Sequence, residues 1–395
     1  MPWKECRKMD ERLRFVERHL AGEAMSALCR EFGISRVTGY SIIERYKDSG
    51  LEALTDRSRR PYRQANQLPF QVENLILQVK REWPNWGAPK IRERIRTQFP
   101  DLHTPAKSTV HAVLARNGLV KSKRKRRYKA EGTGLTPAKV ANELWCTDYK
   151  GEFMMGNKQY CYPLTVTDFT TRFLIGCEGL ENTKEQYAIT VFERLFKEYG
   201  LPNRIRSDNG VPFASPNGLY GLSRLAVWWL RLGIDIERIK PGNPQQNGRH
   251  ERMHRTLKQA TAKPAAQNIL QQQAKFEDFI HEYNFERPHE ALQMKRPGDL
   301  YVRSERPYTG LPDLEYPLHD HTITVTACGR ICMGKKKISL SQVFAGQKVG
   351  VKEEDEGIWQ VSFMNYEIGY FDLDTCRIEP VDNPFGPKVL SMCSV

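Results

Sequence analysis

No stretch of the 395-residue sequence approaches the roughly 18 apolar residues a membrane-spanning helix requires, so a helical membrane protein is excluded. The opening Met1-Pro2-Trp3-Lys4-Glu5-Cys6 lacks the apolar segment of a secretory leader, and no export is expected. Cysteine is sparse and unpatterned. The nine cysteines, at 6, 29, 146, 161, 177, 328, 332, 376 and 393, are odd in number and widely spread. That argues against a disulfide framework and suits free thiols in a reducing cytosol. One metal-like spacing exists, His319-x-His321 followed by Cys328-x-x-x-Cys332. The residues between, Thr322-Ile323-Thr324-Val325-Thr326, alternate like a strand, whereas zinc knuckles set each ligand pair on a tight turn. Packing is therefore expected there rather than zinc.

The first third is also poor in negative charge. Residues 1–130 hold 29 Lys and Arg against 14 Asp and Glu, while the remaining 265 residues hold 32 against 33. The net charge of +14 thus lies at one end, as in a nucleic-acid-binding region joined to a neutral partner. A solvated basic surface is the plainer alternative. A chain of this length is expected to form several domains.

Within residues 10–47 the pattern is that of a helix-turn-helix. Ala24–Phe32 reads as a helix with Ala27, Leu28 and Phe32 inward, Gly33 supplies the turn, and Ser35 caps a second helix. Gly39, Ile42, Ile43 and Tyr46 then form a buried stripe at i, i+3, i+4, i+7, leaving Arg36, Tyr40 and Ser41 for base edges near the helix start. A plain three-helix bundle would share the stripe. Asp56-Arg57-Ser58-Arg59-Arg60-Pro61 reads as an extended basic arm, with Arg57, Arg59 and Arg60 available to DNA, or as an ordinary linker. A second helical set is expected over 70–82, 88–98 and 108–117. It is followed by a basic tail in which Lys123, Arg124, Lys125, Arg126 and Arg127 suit phosphate contacts. Gly132-Thr133-Gly134 marks a linker.

From residue 142 the periodicity changes to strands. Strands are expected over 144–150, 159–167, 172–178, 203–207 and 234–238, with helices over 184–199, 219–232 and 247–262, a mixed α/β layer. Three acids stand out. Asp148 interrupts an apolar strand, where a carboxylate is costly without a counter-charge. Asp208 ends a strand at the turn Asn209-Gly210, where α/β sheets commonly bind ligands. Glu251 opens a helix, with His254, Arg255 and Lys258 reading as the same face at i+3, i+4 and i+7; Arg255 and Lys258 suit DNA. Singly, each acid has a structural explanation: a buried pair, a turn, a helix dipole.

Together with their neighbours the acids form a pattern. Trp145-x-x-Asp148, Ser207-Asp208-Asn209-Gly210-x-x-Phe213 and Lys240-Pro241-Gly242-x-Pro244-Gln245-x-Asn247-Gly248-x-x-Glu251-x-x-His254-Arg255-Thr256-Leu257-Lys258 resemble the integrase catalytic core of retroviral integrases and bacterial insertion-sequence transposases of the DDE type. Tyr283-Asn284-Phe285-Glu286-Arg287-Pro288-His289-Glu290-Ala291-Leu292 resembles the segment that closes that core, and the likeness covers about 137–305. The 42 residues between Asp208 and Glu251 exceed the retroviral spacing, with the excess placed around 216–229. The resemblance implies an RNase H-like fold with Asp148, Asp208 and Glu251 as catalytic and metal-binding residues for two Mg²⁺ or Mn²⁺ ions. It also implies cleavage at transposon ends, transfer of the freed 3′-hydroxyl into target DNA, and a homo-oligomer assembled on double-stranded DNA in the bacterial cytoplasm, at the nucleoid. Asp168 resembles a family position but reads as structural.

Short strands over 320–380, with turns such as Gly329 and Glu356-Gly357, suggest a small C-terminal β-barrel, and Lys335-Lys336-Lys337 either meets phosphates or forms a solvated turn. The expected order is a helix-turn-helix domain (1–60), a second helical domain with basic tail (61–130), a linker (131–141), the RNase H-like core (142–305), the barrel (306–382) and a tail (383–395). Two other functions remain open: a DNA-binding regulator with a silent core, and a nuclease that cuts without joining.

Overall fold

A computed structural model describes residues 8–55, 68–120, 135, 138–240 and 244–385. The chain divides into two compact units, Met1–Pro69 and Phe70–Val395. In the first, α1 (Lys8–Leu20), α2 (Met25–Glu31) and α3 (Arg36–Ser49) enclose Phe15, Val16, Met25, Leu28, Ile42 and Ile43. Gly33 at φ 63° makes the turn between α2 and α3. The Ser35 hydroxyl accepts from the Thr38 amide at 3.1 Å, which caps α3. At Gly39 a Cβ would lie 2.7 Å from Cys29 Sγ and 2.9 Å from Met25 Sδ, so α3 meets α2 at closer range than a side chain allows.

The second unit begins with α4 (Phe70–Glu82), α5 (Ala88–Gln98) and α6 (Lys107–Arg116). These helices share one compact unit with the sheet that follows. Trp86 is buried and its indole nitrogen donates to Glu282 at 2.9 Å, while Arg94 pairs with Glu286 at 2.6 Å.

The sheet contains β1 (Trp145–Tyr149), β2 (Phe153–Met154), β3 (Tyr160–Asp168), β4 (Leu174–Leu180), β5 (Arg204–Ser207) and β6 (Asp235–Arg238). β1, β3 and β4 pair antiparallel, β5 and β6 add in parallel beside β1, and β2 pairs with the start of β3. Alternation sends Leu164 and Val166 to one face, onto α7 (Glu185–Tyr199) and α8 (Arg224–Arg231). The α7 stripe Ala188, Val191, Phe192, Leu195, Phe196 has helical spacing and is wholly buried. The other face carries α9 (Gly248–Thr261) and α10 (Ile269–His281), through Met253, Leu257, Phe276 and Phe279. The sequence reading passed over α10, β2 and the last strand.

Two expectations need correction. The helix expected over 219–232 is only α8, because Tyr220 at φ 56° and Gly221 at φ 68° break the helical path and Ser223 caps a fresh start. The C-terminal barrel is not closed. β7 (His321–Thr324), β10 (Lys348–Asp355), β11 (Ile358–Phe363), β12 (Tyr366–Asp372) and β13 (Ile378–Pro380) form an open antiparallel sheet with β7 and β13 as its edges. β8 (Arg330–Met333) and β9 (Lys336–Ser339) make a separate hairpin. The apolar side of this sheet does not need closure, because Leu222, Ala226, Val227 and Leu230 cover it. α8 is therefore buried on both sides, with Leu225 and Trp229 in the first core and Ala226, Val227 and Leu230 in the second.

Among the described residues no helix is long and apolar enough to cross a membrane. His319 packs on Tyr316 and His321 on Trp359, and no metal-holding group of three His, Cys, Asp or Glu forms among them.

Candidate active site

β1 and β5 run parallel with Trp145 beside Ile205 and Cys146 beside Arg206. Carried forward two residues, that register would bring Asp148 level with Asp208, the first residue after β5, and the Asp208 charge acts on Asp148. Asp208 ends its strand and its Oδ1 accepts from the Gly210 amide at 3.1 Å; the Asn209 amide group donates to the Ile239 carbonyl at 2.7 Å and holds the turn. Glu251 is exposed in the first turn of α9.

Asp148 feels the charges of both other acids. Burial, then the Asp208 charge, push the Asp148 carboxyl up to about 7; the Tyr149 amide and Lys150 oppose them, and the Glu251 charge adds the least. Burial also raises Asp208, with the Gly210 amide opposing it. Among the described residues no three His, Cys, Asp or Glu side chains are drawn together tightly enough to hold a metal as they stand. The donor chemistry nonetheless fits a hard divalent cation: carboxylate oxygens that repel one another gain from a positive ion between them.

A hydroxyl–imidazole chain secures α9 to the strands. The Thr165 hydroxyl donates to the Asp148 carbonyl at 3.0 Å and meets His250 Nε2 at 2.8 Å and His254 Nε2 at 2.6 Å. The Thr167 hydroxyl meets His250 Nδ1 at 2.8 Å. Burial pushes His250 down to about 3, and burial with the neighbouring His250 and Lys150 lowers His254 further. Both are neutral, so the 3.8 Å approach of His254 Nδ1 to Asp148 Oδ2 is no ion pair and leaves that carboxylate free.

A second clamp holds the start of α9. Arg249 donates to the Phe169 carbonyl at 3.0 Å and its guanidinium lies 4.0 Å over the Phe169 ring. Arg206 stacks 4.9 Å from the same ring and pairs with Glu237 at 2.7 Å, deep in the fold. Asp168 accepts from the Asn142 amide at 2.8 Å and from the Thr171 amide and hydroxyl, both at 2.7 Å, which shapes the β3–β4 turn. The Asn284 side chain bonds both the amide and the carbonyl of Leu174.

The face read for α9 divides in two. Glu251, Arg255 and Lys258 are exposed, while His254 turns inward. Arg36, Tyr40 and Ser41 are exposed on α3, opposite its buried Gly39, Ile42 and Ile43. Arg57, Arg59, Arg60, Lys123, Arg124, Lys125, Arg126 and Arg127 lie outside the described residues. The sequence reading passed over Thr165, Thr167, His250, Arg206 and Phe169. Its available signal was two threonines at i, i+2 in an apolar strand, with two histidines at i, i+4.

Residues 138–244 match the model of an integrase core domain and residues 232–297 match a second integrase core model. Residues 11–62 match a helix-turn-helix domain and 38–114 a homeodomain-like domain. The Pol polyprotein of feline endogenous virus ECE1 is 33% identical over 104 residues, which is 26% of this chain and 9% of the polyprotein. The insertion element IS407 uncharacterized 31.7 kDa protein of Burkholderia multivorans is 24% identical over 186 residues, 45% of this chain and 64% of that protein. This chain thus spans less than two thirds of the length of either relative. The HTLV-2 integrase catalytic core domain in complex with magnesium aligns with a TM-score of 0.33 at 14% identity, over 41% of this chain and 98% of that one. With helix-turn-helix domains ahead of an integrase core, the protein is a relative of the insertion-sequence transposases of the integrase superfamily.

Proposed function

We propose that the protein is a DNA transposase that cleaves phosphodiester bonds at transposon ends and joins the freed 3′-hydroxyl to target DNA. The observation that supports this reading is that the charges of Asp208 and Glu251 both act on Asp148, with β1 and β5 paired in parallel beside it. Asp148, Asp208 and Glu251 would hold two Mg²⁺ or Mn²⁺ ions. Bound there, such ions supply activation of the attacking oxygen and stabilisation of the leaving oxygen. The chain's own part is to hold the carboxylates on rigid elements and orient the phosphodiester. Arg255 and Lys258, exposed along the helix of Glu251, bind flanking phosphates.

Arg36, Tyr40 and Ser41 reach base edges at the transposon end, assisted by the basic arm (Arg57, Arg59, Arg60) and the basic tail (Lys123 to Arg127). Two ends must be held together for joining, so the active species is a homo-oligomer on DNA, in the bacterial cytoplasm at the nucleoid.

The test is incubation with Mn²⁺ and a labelled duplex carrying the protein's own element end, beside Glu251→Gln and Asp208→Ala. Nicked and joined products are expected from wild type alone, with both variants still binding the duplex. Nicks without joined products would indicate a nuclease, tight binding without product from any protein a regulator, and turnover by Asp208→Ala would remove the acid assignment.

A further inference from the structure

Thr165 and Asp148 are direct partners in the antiparallel β1–β3 pairing, so their side chains leave the sheet on the same face, the one that α9 covers. Thr165, His250 and His254 are all buried, at 0%, 2% and 5% exposure. A hydroxyl has one proton and two lone pairs. Thr165 spends its proton on the Asp148 carbonyl and must accept from both imidazoles, so each histidine carries its proton on Nε2. His250 Nδ1 is then left to accept from Thr167, so both hydroxyls, both Nε2 atoms and His250 Nδ1 are paired with both rings neutral. These assignments follow from the hydrogen-bond geometry.

The two histidines sit one turn apart on α9 and bracket Glu251 in sequence. Apolar contacts through Met253 and Leu257, and the clamp of Arg249 on Phe169, already hold α9 against the sheet. Apolar contacts are non-directional and leave rotation and sliding of a helix loosely set. A buried hydrogen-bond chain fixes both, because any displacement strands a polar atom at a cost of about 1–3 kcal/mol.

We propose that Thr165 is a positioning residue: one hydroxyl ties the Asp148 backbone to the two histidines that flank Glu251, and so sets the spacing and orientation of those two carboxylates. The inference rests on the reading of Asp148 and Glu251 as metal-holding residues. In this role Thr165 acts through Asp148, His250 and His254.

The test uses the full-length protein and Mn²⁺ alone as probe, with binding followed by electron paramagnetic resonance of the free ion. Thr165→Val keeps the side-chain shape and deletes the hydroxyl; Thr165→Ser keeps the hydroxyl. Loss of an outer residue of this kind typically weakens metal binding or activity about 10–100-fold. Thr165→Val is expected to weaken Mn²⁺ binding by at least about tenfold. Thr165→Ser should restore it to near the wild-type value, and end cleavage by Thr165→Val should lose kcat while the KM for DNA holds. His254→Leu removes one donor from the helix side and should weaken Mn²⁺ in the same way, whereas His254→Gln, whose amide still donates, should not; this pair stands in if Thr165→Val fails to fold. Mn²⁺ binding by wild type that Thr165→Val and His254→Leu retain at equal strength overturns the positioning role alone. Failure of wild type to bind Mn²⁺, with no difference from Asp148→Asn, overturns the metal reading and this inference with it.

Discussion

At the scale of single residues, the site is dominated by charges held without full compensation. Asp148 is raised by burial and by its acidic neighbours, a condition that a bound cation would relieve. Arg206 shows the opposite arrangement. It is 1% exposed, pairs with Glu237 at 2.7 Å and stacks on Phe169, so its charge is satisfied inside the fold. Removing one member of a buried pair strands the other, at a cost of about 3–5 kcal/mol. Arg206→Ala should therefore destabilise the second unit by that order in chemical denaturation, whereas Arg206→Met combined with Glu237→Leu should recover most of the loss. A double variant as unstable as the single one would show that the pair is not what Arg206 contributes.

Elements differ in how plainly the sequence announces them. Helices with one apolar stripe, such as α3, α4, α5 and α7, are readable because period and exposure coincide. α8 is not, because it is apolar on nearly every side and its start depends on Ser223 and the left-handed Tyr220. The three acids were legible because local motifs surround each one. The link from Thr165 to His250 and His254 was not, since it joins residues 85 and 89 positions apart through a register that only the folded sheet supplies. The α2–α3 contact permits a sharp test. Gly39→Val places a branched side chain where Cys29 and Met25 already stand, and overpacking of that kind costs about 1–3 kcal/mol. A fall in the stability of the first unit, with weaker duplex binding in gel-shift assays, is expected. Where α5 meets residues 282–290, burial and the Arg287 charge push Lys90 down from 10.5 to about 7, while Glu282 and Glu290 pull the other way. A lysine lowered in the folded state contributes stability that is complete above pH 10.5 and lost as pH falls through about 7. The melting temperature should therefore drop from about pH 9 to pH 6, and Lys90→Met should flatten that part of the curve.

For the whole molecule, the C-terminal sheet is structurally continuous with the rest of its unit. Barrel closure was expected because a short-stranded sheet must hide its apolar side, and the strand pattern alone does not say what hides it. Here Leu222, Ala226, Val227 and Leu230 do so. Ending the chain at Leu311 keeps the Arg306 contacts to the carbonyls of Pro202, Leu232 and Gly233 but bares those four side chains. Each large apolar side chain returned to water forfeits about 1.5–3 kcal/mol. Such a truncated protein should aggregate or bind a hydrophobic dye strongly, and a soluble, monodisperse 1–311 fragment would show that the two cores are independent.

The double burial of α8 also bears on how chains of this kind can be recombined. A helix that belongs to two cores at once leaves no neutral crossover point between the integrase core and the sheet behind it. The integrase core and the C-terminal sheet are then inherited as one block.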